Sequence, residues 1–133
     1  MLNVDNIQSQ VEEFFGKPIS TYSRAEAIED GILSDVTEEA KKSGFKYPVA
    51  VTAAVWEECL VPSDHCRKFG ESEQGRMWDM FSMLRWAIKA QPDPCDEVNF
   101  TVKFGRQNYG LKSICGPGDT PEPVITIMMR EES

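Results

Sequence analysis

The fold is decided over residues Tyr22–Trp56, which read YSRAEAIEDGILSDVTEEAKKSGFKYPVAVTAAVW. Several helix-start signals and two glycine stops lie within this stretch. The first start is a capping box formed by Ser23 and Glu26: the serine hydroxyl accepts a backbone N–H three residues on, and the glutamate reaches back. We therefore expect a short helix over about 23–30 that stops at Gly31.

A second helix start follows at Asp35 or Thr37. The glutamates of its first turn and the lysines of its last turn complement the helix dipole, and Gly44 supplies a left-handed cap. Pro48 then keeps the chain before it extended, because proline disfavours helical geometry in its predecessor. Thr52 is expected to cap a third helix.

The longest expected helix covers about 72–90, after a polar run, 62–70, that is expected to be a loop. Its apolar side chains share an arc of the helical wheel that is typical of a core-facing stripe. They are Met77, Met80, Phe81, Leu84, Ala87 and Ile88. Trp86 lies nearly opposite this arc, between Asp79 and Ser82 on the wheel. Such a tryptophan is either covered by a second layer or part of an exposed contact surface.

After the linker QPDPCDE the hydrophobic period changes from 3.6 to two, which indicates strands. Residues 98–104 alternate apolar and polar side chains, and turns then lead into strands expected at about 111–115 and 124–129. Helices first and strands last predict an α+β fold. We expect N-terminal helices packed on a C-terminal three-stranded antiparallel meander.

The chain has 133 residues, and we expect a single domain over 1–133. Residues 1–18 are expected to form an arm or a short helix, 19–91 to be mainly helical, and 96–130 to form the antiparallel sheet. The apolar runs are too short to cross a membrane. The first residues lack the cationic start and apolar block of a secretion signal, so a cytoplasmic location is expected.

The formal charge of −8 is unevenly placed. Residues 1–64 hold 12 acidic against 5 basic side chains, and residues 65–133 hold 10 against 9. Because nucleic-acid binding draws its affinity from basic side chains that neutralise phosphates, no direct nucleic-acid binding is expected. The acidic surface either only keeps the chain soluble or suits a basic partner protein.

Four cysteines are present without a CxxC pair: Cys59, Cys66, Cys95 and Cys115. With no secretion signal, they are expected to be free thiols in a reducing compartment. His65 stands beside Cys66, but the paired ligand spacing of a zinc site is missing. We therefore expect no metal and no cofactor.

The densest carboxylate group is formed by Asp30, Asp35, Glu38 and Glu39. Such a group can serve as a general acid and base or hold Mg²⁺, but helix ends and caps also favour acidic residues. The alternative function is therefore an enzyme or small-ligand binder using the acidic residues of this region. The stretch 116–119 is interpreted as a turn instead of a phosphate loop, because a strand and not a helix follows it.

The outer side of the longest helix combines tryptophan with arginine, which is typical of anchors in protein interfaces. The predicted binding residues there are Arg76, Trp78, Asp79, Ser82, Arg85 and Trp86. They favour a protein partner, and a homodimer is one form that this contact can take. A solvated helix face is the other interpretation of the same residues.

Four segments together resemble a known family of short bacterial proteins, a domain of unknown function found on plasmids, phages and other mobile elements. The segments are FGKPIS, SRAEAIEDGILSDVT, GFKYPVAVTAAVW and CGPGD with PVITIM. The resemblance implies no reaction, ligand or catalytic residue, but it implies a mobile-element context. The leading hypothesis is a small acidic cytosolic protein-binding module, acting as an accessory or anti-defence factor of a mobile element.

Overall fold

The computed structural model describes residues 23–92 and 96–132. The expectation of an arm or helix over 1–18 lies outside these residues. The helices are α1 (Arg24–Glu29), α2 (Thr37–Lys42), a π-helix (Val55–Leu60), α3 (Asp64–Lys68) and α4 (Glu73–Ala90). The strands are β1 (Leu33–Asp35), β2 (Val49–Thr52), β3 (Glu97–Phe104), β4 (Gln107–Pro117) and β5 (Pro123–Met129).

The predicted helix starts are confirmed where a side chain caps the helix locally. The Ser23 hydroxyl accepts a hydrogen bond from the Glu26 backbone N–H at 3.0 Å. The Thr52 hydroxyl accepts one from the Val55 N–H at 3.3 Å, at the start of the π-helix. Each contact satisfies a backbone donor that has no partner inside the helix.

The loop expected over 62–70 is wrong in part, because α3 forms within it. The Ser63 hydroxyl accepts a hydrogen bond from the Cys66 N–H at 3.2 Å and so caps a short helix. With Pro62 before the cap and Gly70 soon after it, the segment has the composition of a loop. A single helical turn with no buried residue leaves no periodic signal.

The fold is α+β, but the three-stranded antiparallel meander is wrong as a description of the whole sheet. Five strands pair in the order β1-β2-β5-β4-β3, and β2 runs parallel to β5. The predicted strands β3, β4 and β5 do pair antiparallel in sequence. β1 and β2 are three and four residues long, too short to display a period of two. Val49, Ala50 and Val51 are all buried, so β2 is covered on both faces.

The core lies between α4, the π-helix and one face of the sheet. In β3 every second residue is buried, from Val98 to Phe104, as the alternation predicts. The predicted stripe of α4 is confirmed at Met77, Met80, Phe81 and Leu84. Ile88, also expected there, is 42% exposed. It lies in the last turn of α4, where every residue after it up to Pro92 is exposed and the helix leaves the core.

The opposite face of the sheet is contacted by α1. Strand alternation places Thr126 on the face opposite to Ile125 and Ile127, which belong to the core. The Arg24 side chain of α1 donates a hydrogen bond to the Thr126 hydroxyl at 2.6 Å. α1 itself packs against β1, and its Arg24 side chain reaches across this face to β5.

Among the described residues, no helix combines the length and the apolar content that crossing a membrane requires.

Candidate functional site

The strand β3 is an edge of the sheet, with a described neighbour on one side only. The Cys115 N–H donates to the Asp96 carbonyl at 2.7 Å, which makes these two residues a hydrogen-bonded pair of the β3–β4 ladder. Hydrogen-bonded pairs alternate along an antiparallel ladder. The backbone groups of the even-numbered residues of β3 therefore point towards β4. Those of the odd-numbered residues point outward: Glu97, Asn99, Thr101 and Lys103.

A groove of about 320 Å³ runs between this edge and α4. Asp79, Ser82 and Met83 of α4 line one wall, and residues 101–104 of β3 line the other. Asp79 and Ser82 were predicted to flank Trp86, and the structure places both in the groove. Met83 was not predicted, although its position one turn before Trp86 puts it on the same side of the helix.

Apolar side chains are exposed beside this groove. Trp86 is 69% exposed and Met83 is 39% exposed. Of the two predicted alternatives for Trp86, the described residues therefore favour an exposed surface over a covering layer. We define the α4–β3 surface as Asp79, Ser82, Met83 and Trp86 together with the outward edge of β3.

Arg76 was expected on the outer side of the longest helix, and that placement is wrong. Its side chain is 5% exposed and donates to the Cys59 carbonyl at 3.0 Å. It pairs with the Glu71 carboxylate at 3.2 Å and lies 4.9 Å from the centre of the Phe104 ring. These three partners lie outside α4 and hold the guanidinium group in the interior. A helical wheel of α4 shows only the residues of that helix, so it cannot indicate this burial.

Burial raises the pKa of the Cys59 thiol to about 12, although the charge of Arg76 acts to lower it. The thiol therefore stays protonated near neutral pH and is a poor nucleophile. Cys59, Cys66 and Cys115 are free thiols, as expected, and Cys95 lies outside the described residues. The cysteines of the described segments give no catalytic arrangement with His65, whose ring packs 5.0 Å from that of Phe69.

The two other predicted residues of the longest helix, Arg85 and Trp78, do not line the groove. The Arg85 guanidinium donates to the Ser43 carbonyl at 2.6 Å and so satisfies a group at the C-terminus of α2. Trp78 is 45% exposed and lies about 80° from Trp86 around the helix. The six predicted residues therefore separate into two groove residues, two exposed tryptophans and two structural arginines.

The predicted acidic group serves local structure at several of its positions. The Asp35 carboxylate accepts from the Thr37 N–H at 3.0 Å and from the Thr37 hydroxyl. Glu38 and Glu39 lie in the first turn of α2, where the helix dipole favours acids, and Asp30 is the C-cap residue of α1. Within residues 23–92 and 96–132, no three metal-ligating side chains gather into a group that can hold an ion.

Sequence reasoning missed a cleft of about 470 Å³ between α1, β1 and the turn after β4. Its walls include Ser23, Arg24, Leu33, Gly118 and Asp119. The Asp119 carboxylate accepts hydrogen bonds from the N–H groups of Arg24 at 2.6 Å and Ala25 at 3.1 Å. It thereby caps α1 from a distant part of the chain, and its negative charge occupies the helix N-terminus that an anion would need.

The half-buried guanidinium group of Arg24 lies beside this cleft. It donates to the Ile125 carbonyl at 2.7 Å, in addition to its bond to Thr126. Burial lowers the pKa of Arg24, while the charges of Asp35 and Asp119 act to raise it. Arg24 and Asp119 stand 95 positions apart in the chain, so no local signal in the sequence indicated the cleft.

Comparison with known protein families gives a match that includes the whole of the described fold. A model described as "Family of unknown function (DUF6573)" matches residues 12–133. The chain has no significant match among curated proteins or among solved structures. The match covers all five strands and all described helices, as well as both the groove and the cleft. The chain therefore belongs to the Family of unknown function (DUF6573).

Proposed function

We propose that this chain is a protein-binding module that uses the α4–β3 surface. The observation that carries the proposal is the exposure of Trp86 beside an outward-directed strand edge. Trp86 offers a large apolar area, and β3 offers a row of backbone donors and acceptors. Edge strands of this kind accept an added strand, and tryptophan anchors are common at the centres of protein interfaces.

A polypeptide suits this surface better than a small molecule does. The outward groups of β3 recur at every second residue over 97–103, and only another extended chain matches that repeat. The groove beside them combines apolar and polar residues, as a surface that takes up the side chains of a peptide does. They are Met83, Val102 and Phe104 together with Asp79, Ser82, Thr101 and Lys103.

The proposal is tested by capturing partners on the immobilised full chain and measuring the affinity of each captured protein. Trp86→Ala should weaken the association by about 2 kcal/mol or more, as the loss of an interface anchor does. Phe69→Ala is the matched control, because Phe69 is 76% exposed but lies outside the α4–β3 surface. Equal affinities for the wild type and Trp86→Ala contradict the proposal.

The setting is part of the same proposal: an accessory or anti-defence factor of a bacterial mobile element, acting in the cytoplasm. It is supported by the sequence resemblance. Cells producing the wild type should differ from cells producing Trp86→Ala in how well a phage or plasmid becomes established. If the two variants, matched in amount, behave alike in this assay, the setting is wrong.

The alternative is a small-ligand binder or enzyme in the acidic first half. The observation that favours it is the cleft beside Arg24, with Asp35 close enough to influence the pKa of Arg24. A thermal-shift screen of anionic and cationic metabolites tests it, with Asp35→Asn as the variant. A ligand whose stabilising effect disappears in Asp35→Asn would support this alternative over the protein-binding module.

A further inference from the structure

Both ends of the β3 edge carry charge, and the two charges have opposite sign. Glu97 is the first residue of β3, Lys103 is the last outward-pointing one, and both side chains are exposed. Charged residues on an edge strand commonly discourage edge-to-edge association. Opposite charges at opposite ends have another effect, since an antiparallel copy of the same strand places each charge beside its complement.

We propose that the polypeptide bound at the α4–β3 surface is a second copy of this chain, paired antiparallel through β3 about a two-fold axis at Phe100. The inference rests on the proposed function and names the partner of that same surface. In this register Glu97 of each copy lies opposite Lys103 of the other, and Asn99 lies opposite Thr101. The five-stranded sheets then join into one continuous sheet across the two copies.

The backbone geometry selects this register. Two outward-pointing residues must face each other for their N–H and C=O groups to bond, so the pairing has to match odd-numbered residues with odd-numbered residues. A pairing centred on Phe100 engages all four outward residues of each strand. A centre at Asn99 leaves Lys103 without an opposite residue in β3, and a centre at Thr101 places Glu97 opposite Gly105, which lies in the turn.

The same symmetry brings the apolar part of the surface together. A two-fold axis perpendicular to the sheet keeps the core faces of both copies on one side, so the two α4 helices lie next to each other above the joined edges. Met83 lines the groove of each copy, and the exposed Trp86, three residues further along the helix, lies on the same side. The second copy therefore covers the exposed apolar side chains and the open edge in one contact.

Net charge opposes this association less than the total of −8 suggests. Both α4 and β3 belong to residues 65–133, where 10 acidic residues are set against 9 basic ones. The strongly acidic part, 1–64, contains α1 and α2 and does not contribute to the proposed interface. Repulsion between copies is therefore weakest where the proposed contact forms.

The experiment is sedimentation velocity of the full chain at concentrations up to roughly 100 µM, with charge swaps. The wild type should be a dimer. Glu97→Lys and Lys103→Glu should each weaken dimerisation about tenfold or more, because each creates two like-charge pairs across the axis. The double variant Glu97→Lys with Lys103→Glu should recover the wild-type dissociation constant. Lys41→Glu, on exposed α2, is the charge-matched control and should change nothing.

Mixing the two single variants provides a second readout. A copy with lysine at both positions and a copy with glutamate at both positions form two complementary pairs, so the mixture should dimerise as tightly as the wild type. Asn99→Pro removes an outward N–H without touching the β4 ladder, and it should abolish the dimer. At concentrations low enough for the wild type to be monomeric, the two melting midpoints should be close.

Each remaining outcome counts against the proposal. A wild-type monomer across the concentration range overturns it, and so does a dimer that ignores the charge swaps or Asn99→Pro. A monomer that captures a different protein through Trp86 overturns the second copy as partner and leaves the proposed function standing. If the wild type neither dimerises nor captures any protein through Trp86, the proposed function fails as well.

Discussion

The Arg24 cleft and the α4–β3 surface differ in how the chain uses their polar groups. In the cleft, the guanidinium group of Arg24 bonds to β5, and the carboxylate of Asp119 bonds to the first N–H groups of α1. At the surface, the backbone groups of alternate β3 residues point away from their ladder. Residue types that are typical of ligand sites therefore hold the fold together in the cleft, whereas α4 and the β3 edge leave apolar side chains and backbone groups exposed.

The difference also shows in charge compensation. Arg24 lies close enough to Asp35 and Asp119 for their charges to act on its pKa. The positive charge in the cleft therefore already has negative charges of the same chain beside it. Glu97 and Lys103 lie at opposite ends of an extended strand, too far apart to pair within one copy. A second polypeptide can therefore satisfy the charges at the edge of β3 without disturbing the fold.

The largest expected effect concerns the core side of α4. Leu84→Ala should lower the free energy of unfolding by about 2–5 kcal/mol, because Leu84 is fully buried and its truncation leaves a cavity. Denaturant melts measure the loss, and exposed Ser82→Ala is the control on the same helix. A loss below about 1 kcal/mol for Leu84→Ala would mean that α4 packs with a different face inward.

The next effect tests whether Arg24 belongs to the scaffold. Arg24→Met should lower the free energy of unfolding by about 1.5–3 kcal/mol, because the Ile125 carbonyl and Thr126 hydroxyl lose a charged donor. Arg24→Lys should recover only part of the loss, since lysine lacks the planar fork. If thermal and denaturant melts of Arg24→Met match the wild type, the guanidinium group is not needed for stability and is available to a ligand. The cleft would then be a candidate binding site instead of part of the scaffold.

A smaller effect is expected at the start of α1. Ser23→Ala should cost about 0.5–2 kcal/mol, the usual range for a lost N-cap, because the Glu26 N–H loses its acceptor. Binding at the α4–β3 surface should not change, which a dimerisation assay on the same sample checks. Loss of association with an unaltered melt would place α1 in the binding site instead of the scaffold.

The smallest effect on stability is expected at Trp86. Trp86→Ala should change the free energy of unfolding by about 0.5 kcal/mol or less, as exposed substitutions do. The dissociation constant of the Trp86→Ala dimer should nevertheless be higher than that of the wild type. The substitution should therefore affect association and not the stability of the fold. Because dimerisation itself stabilises the fold, the melts are compared at concentrations where both proteins are monomeric. A lower stability of Trp86→Ala under those conditions would show Trp86 to be part of the core and remove the distinction between surface and scaffold.

Local signals in the sequence were enough for the helix starts and for the long alternating strand. Ser23 and Thr52 cap helices through contacts within three residues, so the information lies in a short window. The strand β2 depends on a partner far along the chain, since Val51 pairs with Ile127, and β1 in turn pairs with β2. Arg76 is similar, because the Cys59 carbonyl that holds it belongs to the π-helix.

The candidate surface was predicted only in part, for the same reason. Helical spacing alone groups Asp79, Ser82 and Trp86, and the structure adds the β3 edge that makes the group a groove. The predicted meander already makes β3 an edge strand, but nothing in the sequence indicates that this edge lies beside α4. The cleft joins Arg24 to Asp119 across 95 positions of sequence, a contact that no local pattern indicates.

The position of β5 has a consequence for the order of folding. β5 is the last strand in the chain, yet it lies between β2 and β4 and provides the only described pairing between the β1–β2 and β3–β4 hairpins. During synthesis β1 and β2 are complete long before residues 123–129 exist, whereas β4 ends at Pro117, shortly before β5 begins at Pro123. Until β5 is available, β2 exposes an edge that only β5 pairs with among the described strands, so the nascent chain passes through a stage at which chaperones or other chains can bind an edge that the finished protein conceals.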